Sequence, residues 1–216
     1  MSDFIYLASG SHSRQELLKL SNIPFVVIKQ TANEELISRD DSLQNVVCAI
    51  AQEKMRCAVP PDGKKIGEIA YVLTSDTMGV SDKGEIFGKP KDQADAIRML
   101  KSYRAGAQTG TAFCLEKRVW CEAADNLPAH WELVDRVICY VNATYVFNVP
   151  DEMLELYFKH AVERFGISYL DVSGAVAIED YGLQFVTNFQ GSFTAVIGLP
   201  LYELRQELSK MGFNFS

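Results

Sequence analysis

The sequence has no long hydrophobic run and few histidines, and each absence excludes a class of protein. No apolar stretch approaches the length of a membrane span, and no basic segment at the N-terminus leads into a long apolar core. We therefore expect neither a transmembrane helix nor a signal peptide. The three histidines are scattered without zinc-like spacing. Any catalytic metal would be held by carboxylates, which favours magnesium or manganese.

Closely spaced cysteine pairs are also missing. The cysteines are odd in number and irregularly placed, which favours reduced thiols in a cytosolic protein over a disulfide framework. They are Cys48, Cys57, Cys114, Cys121 and Cys139. Basic residues are outnumbered by acidic ones, 21 to 28, giving a formal net charge of −7. This charge argues against broad contact with nucleic acid but allows a local basic pocket.

Alternating strand-like and helix-like segments predict an α/β protein. The 216 residues are enough for one large domain or two small lobes, and 48% hydrophobic residues suit a globular core. We expect two lobes around a cleft. Helices are expected at residues 43–58, capped by Asp41 or Ser42, and at residues 152–165. Strands are expected at residues 25–28, 69–73, 110–116, 133–141, 169–178 and 182–189.

Residues 4–20 predict a strand, a tight loop and a helix. Backbone N–H groups and the positive end of such a helix can bind an anion. Ser9 and Ser11 could add hydroxyl donors, and Arg14 in the first turn would add a permanent cation. Ser13 and Glu16 have the spacing of a capping box. An ordinary capped βα unit with a surface arginine explains the same residues.

Three further charged residues stand in unusual positions. Lys54 continues the apolar face of the helix predicted at residues 43–58, so it either extends past the core edge or points into a cleft. Asp76 follows an apolar strand, where α/β proteins gather their active sites, although an Asx turn is the simpler alternative. Lys89 precedes the next helix and could share an anion with its N-terminus, or simply be solvated.

Four ordered segments taken together point to a family. They are L-A-S-G-S-H-S-R-Q-E-L-L, S-D-T after a strand, G-E-I-F-G-K-P-K-D followed by A-I-R-M-L, and G-S-F-T-A-V-I-G-L-P-L near the C-terminus. In this order they resemble the Maf family, also called septum-formation-inhibitor-like proteins, over essentially the whole chain. The resemblance implies a mixed twisted sheet with flanking helices of the Maf/ITPase-like type. Residues 1–216 would form one Maf-like domain, with the nucleotide cleft between its two lobes.

The resemblance also implies an activity. Such proteins are cytoplasmic nucleoside triphosphate pyrophosphatases that cleave between the α- and β-phosphates, yielding a nucleoside monophosphate and pyrophosphate. Asp76 matches the general base, which would also hold Mg²⁺ or Mn²⁺ together with Glu34. Glu35 is the alternative to Glu34 in register, and Lys54 and Lys89 resemble two phosphate-facing lysines. A homodimer would suit the family.

The remaining site residues are partly altered from the family pattern. Ser9, Ser11 and Arg14 match the first phosphate-binding loop, and Thr77 matches a position tied to base selectivity. The usual S-P-R-R appears here as S-H-S-R, so Ser13 replaces the first arginine. The histidine of the family's G-x-x-H-x-V-x-T-G pattern is missing from the shorter stretch at residues 104–110. The base-reading glutamine has no clear equivalent, with Ser173 or Val172 in its neighbourhood.

These changes remove base-reading groups and keep the carboxylates and lysines. We therefore do not transfer a thymidine or uridine preference to this chain. The leading hypothesis is a metal-assisted pyrophosphatase acting on ordinary or modified nucleoside triphosphates. A non-catalytic nucleotide-binding regulator linked to cell division is the main alternative, and a general phosphomonoesterase is a weaker one.

Overall fold

The computed structural model describes residues 3–123, 128–165 and 168–216, and these residues form a mixed β-sheet with helices on both faces. The strands are β1 (Ile5–Leu7), β2 (Phe25–Val27), β3 (Ile69–Ser81), β4 (Ile86–Phe87), β5 (Ala107–Cys121), β6 (His130–Phe147) and β7 (Val186–Gly191). The helices are α1 (His12–Leu20), α2 (Leu43–Arg56), α3 (Gln93–Ser102), α4 (Leu154–Phe165), α5 (Phe193–Ile197) and α6 (Leu201–Lys210). The expected α/β class with a mixed sheet is confirmed.

The strand order is β2-β1-β3-β5-β6-β7, and β4 pairs with β3 outside this path. β1 is parallel to both β2 and β3, whereas the β3–β5, β5–β6 and β6–β7 pairs are antiparallel. The long strands β3 and β5 are almost wholly buried, which explains why their sequences are nearly continuous apolar and small residues.

One edge of β3 carries a gap in the sheet. β5 pairs with β3 along its whole length, from Ile69 to Ser81. On the other edge, β1 reaches only as far as Leu73, and β4 begins only at Gly79. Among the described residues, 74–78 therefore have no neighbouring strand on that edge, and we call this stretch the β3 gap. The chain after β1 runs towards the gap from one side, and the chain after β4 runs towards it from the other.

The helices cover the two faces of the sheet through three core clusters. The α2 cluster packs α2 residues against Val72, Met78 and Ala112 on one face. The α1 cluster packs α1 and α6 on the opposite face, against Leu73 and Phe113. The α4 cluster surrounds the far ends of β5 and β6, and its central members are Tyr103, Ala107, Tyr145, Phe147 and Tyr157. β5 contributes residues to all three clusters.

Several expected elements differ from the structure. The strand expected at residues 69–73 continues to Ser81, so Asp76 lies inside a strand and not at its end. The strand expected at 169–178 is wrong, because short 3-10 helices occupy Tyr169–Asp171 and Ser173–Ala175. Gly174 and Ala175 have positive φ angles of 64° and 57°, which end extended structure there. The expected strand at 182–189 begins only at Val186.

The start of α2 agrees with the sequence prediction. Ser42 is the N-cap, and its side chain accepts a hydrogen bond from the Asn45 backbone N–H at 3.2 Å.

All five cysteines are free thiols, and burial raises the pKa of Cys114 to about 12. Within the described part of the chain, no helix combines the length and apolar character needed to cross a membrane.

Candidate functional site

A lysine between two carboxylates lies at the β3 gap. Lys54 extends from the last turn of α2, and its Nζ lies 2.7 Å from Asp76 Oδ1 and 2.9 Å from Glu34 Oε1. The side chains of Lys54 and Asp76 are only 9% and 8% exposed, whereas that of Glu34 is 42% exposed. Buried charges of this kind are retained when they are paired. The Lys54 side chain therefore points towards Asp76 and Glu34. Of the two alternatives predicted from its position on α2, this is the inward-pointing one.

The structure distinguishes Glu34 from Glu35. Both lie in the short 3-10 helix Glu34–Leu36, which begins where the Asn33 side chain accepts a hydrogen bond from the Glu35 N–H at 3.1 Å. This turn directs Glu34 to Lys54, and Glu35 is exposed. Glu34 is therefore the acidic residue of this loop that joins the cluster.

Asp76 has one oxygen without a partner. Its Oδ1 accepts from Lys54, but its Oδ2 is buried and has no hydrogen-bond partner among the described residues. An unpaired buried carboxylate oxygen is costly, at about 1–3 kcal/mol or more. Such an atom is a natural position for a cation or a proton donor that arrives with a ligand.

A buried arginine forms the second half of the site. Arg14 donates from Nε to the Gly198 carbonyl at 2.9 Å, from Nη1 to Ser9 Oγ at 3.0 Å, and from Nη2 to Thr77 Oγ1 at 3.1 Å. Burial lowers the pKa of Arg14, while the negative charges of Asp76 and Glu34 oppose this shift. Arg14 thus belongs to the same electrostatic environment as the Lys54 cluster.

The start of α1 differs from the expected capping box. The helix begins at His12, so its N-cap is Ser11 and Ser13 lies in the first turn. The Ser11 side chain makes no capping hydrogen bond; its backbone N–H instead donates to Ser9 Oγ at 3.3 Å. Among the described residues, the Ser13 hydroxyl has no hydrogen-bond partner. The first turn of α1, whose N–H groups have no partner within the helix, therefore lies beside Arg14.

Asp76 and Thr77 connect the two halves. Residues paired across antiparallel strands lie on the same face, and neighbouring residues lie on opposite faces. Asp76 pairs with Ala112 and faces α2, whereas Thr77 pairs with Thr111 and faces α1 and α5. The two residues thus place side chains from opposite faces of the sheet at the β3 gap.

Lys89 and Ser173 lie on the β4 side of the gap. Phe87 pairs with Gly79, so the antiparallel chain that continues to Lys89 runs back towards Thr77. The Lys89 side chain is 66% exposed, and its Nζ lies 3.7 Å from Asp171 Oδ1. Ser173 is not free to face a ligand in this state, because its hydroxyl donates to the Phe87 carbonyl at 2.9 Å.

Two hydroxyl groups that hold the site, those of Thr111 and Ser75, were missed from the sequence. Thr77 Oγ1 lies 2.8 Å from Thr111 Oγ1, and Thr111 donates to the Ala195 carbonyl at 2.6 Å. The Ser75 hydroxyl lies between the carbonyls of Ala112, at 2.9 Å, and Gly198, at 3.2 Å. The signal was present as hydroxyl residues within otherwise apolar strands, which need internal partners when buried.

The donor set fits a divalent cation that arrives with its ligand. Among residues 3–123, 128–165 and 168–216, no three His, Cys, Asp or Glu side chains cluster as a complete metal site. Magnesium does not need such a cluster, because one or two carboxylates and phosphate oxygens usually complete its coordination. Asp76, whose Oδ2 has no hydrogen-bond partner among the described residues, and Glu34 are the carboxylates that would hold such an ion.

The fold and the gap define an α/β protein whose site, with its buried cations and paired carboxylates, suits a polyanionic ligand. The chain belongs to the Maf family: the family model described as Maf-like protein matches residues 4–211. The resemblance seen in the four sequence segments is confirmed.

Curated relatives cover nearly the whole chain. A dTTP/UTP pyrophosphatase of Hydrogenovibrio crunogenus is 30% identical over 212 residues, which span 97% of this chain and 96% of that protein. A dTTP/UTP pyrophosphatase of Bacillus cytotoxicus is 32% identical over 213 residues, with 97% and 96% covered. One of Xanthomonas euvesicatoria is 32% identical over 214 residues, with 96% and 98% covered.

Proposed function

We propose that this chain is a nucleoside triphosphate pyrophosphatase, releasing a nucleoside monophosphate and pyrophosphate. The observation that carries the proposal is the convergence of Lys54, Glu34, Asp76 and Arg14 at the β3 gap. The shared activity named for the curated relatives supports the same reaction class. We assign no preferred base, because the groups that would read it are those in which this chain departs from the family pattern.

The cations would bind the phosphate chain. Lys54 is held by carboxylates on one side of the gap, and Arg14 with the first turn of α1 lies on the other. Lys89 approaches from the segment after β4, and its acidic partner in the described part of the chain lies 3.7 Å away, so its ammonium would be available to a third phosphate. Preorganised cations and N–H donors stabilise the charge that develops during phosphoryl transfer.

Asp76 would be the general base in this reaction. Its Oδ2 has no hydrogen-bond partner among the described residues and can accept a proton from an attacking water, while Oδ1 remains bonded to Lys54. Glu34 and Asp76 would also hold Mg²⁺ or Mn²⁺. A bound divalent cation supplies charge neutralisation at the phosphoryl oxygens and acidifies bound water.

Replacement of Asp76 by Asn tests this proposal. The amide retains the side-chain shape but removes the basic oxygen, so we expect pyrophosphate release to fall by a factor of about 10²–10⁴. The assay follows pyrophosphate from a panel of ribo- and deoxyribonucleoside triphosphates with Mg²⁺ or Mn²⁺. Asp82→Asn, an exposed position in the turn after the same strand, is the matched control and should retain wild-type rates.

Other products would identify the alternatives. Nucleotide binding by the wild-type protein without turnover would reject the enzyme in favour of the non-catalytic regulator. Orthophosphate from nucleoside monophosphates would instead indicate a phosphomonoesterase. Unchanged pyrophosphate release by Asp76→Asn would remove Asp76 as the base and leave the reaction class intact.

A further inference from the structure

A chain of hydroxyl groups connects Arg14 to α5. Arg14 Nη2 lies 3.1 Å from Thr77 Oγ1, which in turn lies 2.8 Å from Thr111 Oγ1. Thr111 is completely buried, and its Oγ1 lies 2.6 Å from the Ala195 carbonyl oxygen. Because α5 has only five residues, carbonyl groups near its end have no partner within the helix. The Thr111 hydroxyl provides that partner for Ala195.

The direction of each hydrogen bond in this chain is fixed. A carbonyl oxygen can only accept, so the Thr111 hydroxyl gives its proton to Ala195. A hydroxyl has one proton, so Thr111 accepts from Thr77 in their contact. Arg14 can only donate, and Thr77 therefore meets it with an oxygen lone pair. The hydrogen bonds run in one direction, from Arg14 through Thr77 and Thr111 to Ala195.

This direction matters for the donors that Arg14 has left. Three of the five N–H groups of its guanidinium are used, by the Gly198 carbonyl, Ser9 and Thr77. One N–H on Nη1 and one on Nη2 have no hydrogen-bond partner among the described residues. Two neighbouring guanidinium donors suit a phosphate group. The three acceptors fix the plane of the guanidinium, and that plane sets where the two remaining donors point.

We propose that Thr111 is a positioning residue for phosphate binding by Arg14, an inference that rests on the proposed function. Thr111 does not contact Arg14 itself; it accepts the Thr77 proton and so keeps a Thr77 lone pair directed at the guanidinium. Without the Thr111 hydroxyl, the Thr77 proton loses its acceptor and the Ala195 carbonyl loses its donor. Thr77 would then turn, and Arg14 would lose one of the three acceptors that orient it.

The Thr111→Val variant tests the proposal, because it keeps the side-chain shape and removes the hydroxyl. Two quantities are measured: the Kd of inorganic tripolyphosphate by calorimetry, and KM and kcat for pyrophosphate release from nucleoside triphosphates. We expect tripolyphosphate to bind about tenfold more weakly, and kcat/KM to fall by a similar factor, mainly through KM. Thr111→Ser keeps the hydroxyl and should recover most of both losses.

Thr109→Val is the matched control. Thr109 is two residues earlier in β5, so it lies on the same face of the strand, and it is 5% exposed. Its hydroxyl pairs with the Tyr145 hydroxyl at 2.7 Å and takes no part in the Arg14 chain. This variant loses a buried hydrogen bond of the same kind, so its urea midpoint should fall. Its tripolyphosphate affinity and kcat/KM should stay at wild-type values.

A double-mutant cycle shows whether Thr111 acts through Thr77. In a Thr77→Val background, Thr111→Val should cause little further loss of tripolyphosphate affinity. Full additivity of the two losses would contradict the proposed route. Should Thr111→Val fail to fold, Thr111→Cys replaces it and is compared with Thr111→Ser, because a thiol is a weak hydrogen-bonding group.

The outcomes separate this inference from the proposed function. Unchanged tripolyphosphate affinity and kcat/KM in Thr111→Val would overturn the inference while the proposed function stands. Equal losses in Thr109→Val would also overturn it, since lost stability would then explain both variants. A wild-type protein that binds tripolyphosphate but releases no pyrophosphate would overturn the proposed function, and the affinities of the variants would still decide the role of Thr111. A wild-type protein that binds no tripolyphosphate would overturn the inference.

Discussion

The Arg14 side chain links three parts of the sequence that are far apart. Its guanidinium binds Ser9 after β1, Thr77 in β3 and the Gly198 carbonyl after α5. A planar fork with five donors can satisfy three acceptors in fixed directions, which a lysine ammonium cannot do at the same positions. Arg14 is therefore both a structural tie and a cation of the site.

We expect Arg14→Lys to lower the free energy of unfolding by about 3 kcal/mol, because it leaves buried acceptors unsatisfied. The same variant should also lose most pyrophosphate release. Urea unfolding at neutral pH measures the first effect and the product assay measures the second. Arg205→Lys, an exposed position on α6, controls for the chemistry of the substitution. Stability equal to that of the control would show that the three hydrogen bonds contribute little.

At the scale of elements, the 3-10 helix Glu34–Leu36 allows Glu34 to be compared with its neighbour Glu35. Its two glutamates are neighbours in sequence, but only Glu34 contacts Lys54. Glu34→Gln removes a charge from the site, so we expect pyrophosphate release to fall by at least about tenfold and to need more divalent cation. Glu35→Gln should behave like wild type.

The measurement is the rate of pyrophosphate release by both variants as a function of Mg²⁺ concentration. A larger defect in Glu35→Gln would mean that the loop changes register when substrate binds. Equal activity of both variants would remove Glu34 from the proposed metal ligands.

Local sequence signals predicted some elements well and others poorly. The cap at Ser42 and the apolar face of α2 specify that helix from neighbouring residues alone. The length of β3 could not be predicted in the same way. Its polar residues Ser75, Asp76 and Thr77 look like the end of a strand, but buried partners elsewhere satisfy Ser75 and Thr77, and Lys54 pairs with Asp76.

Contacts distant in sequence also explain the error at residues 169–178. The apolar residues there suggested a strand, yet Ala175 accepts a hydrogen bond from Tyr157, and Gly174 donates to the Gly88 carbonyl. These tertiary contacts fix two short turns. The candidate residues themselves were readable from motifs, whereas Thr111 was not, because its partners Thr77 and Ala195 are distant in sequence.

At the scale of the whole molecule, β5 connects all of the packing. Ala107 belongs to the α4 cluster, Phe113 to the α1 cluster and Cys114 to the α2 cluster. One continuous strand thus joins the three core clusters. The arrangement of lobes around a cleft stays a prediction.

We expect the chain to unfold in one cooperative transition, because no cluster can unfold without disturbing β5. Trp120 and Trp131 form an edge-on pair at the C-terminal end of β5, far from Ala107, with 5.1 Å between ring centroids. Their fluorescence and the far-UV circular dichroism should therefore give the same midpoint in urea. Two separated midpoints would show independently unfolding lobes.

The β3 gap, which lies between β1 and β4, has a consequence for how such a protein can change over evolution. Asp76 and Thr77 are fixed by thirteen residues of pairing between β3 and β5, whereas Lys89 and Ser173 lie outside the strands of the sheet. Turns tolerate replacement more readily than central strands. If Asp76 acts as proposed, substrate preference would thus diversify, in nature or by directed mutagenesis, while this carboxylate stays in place.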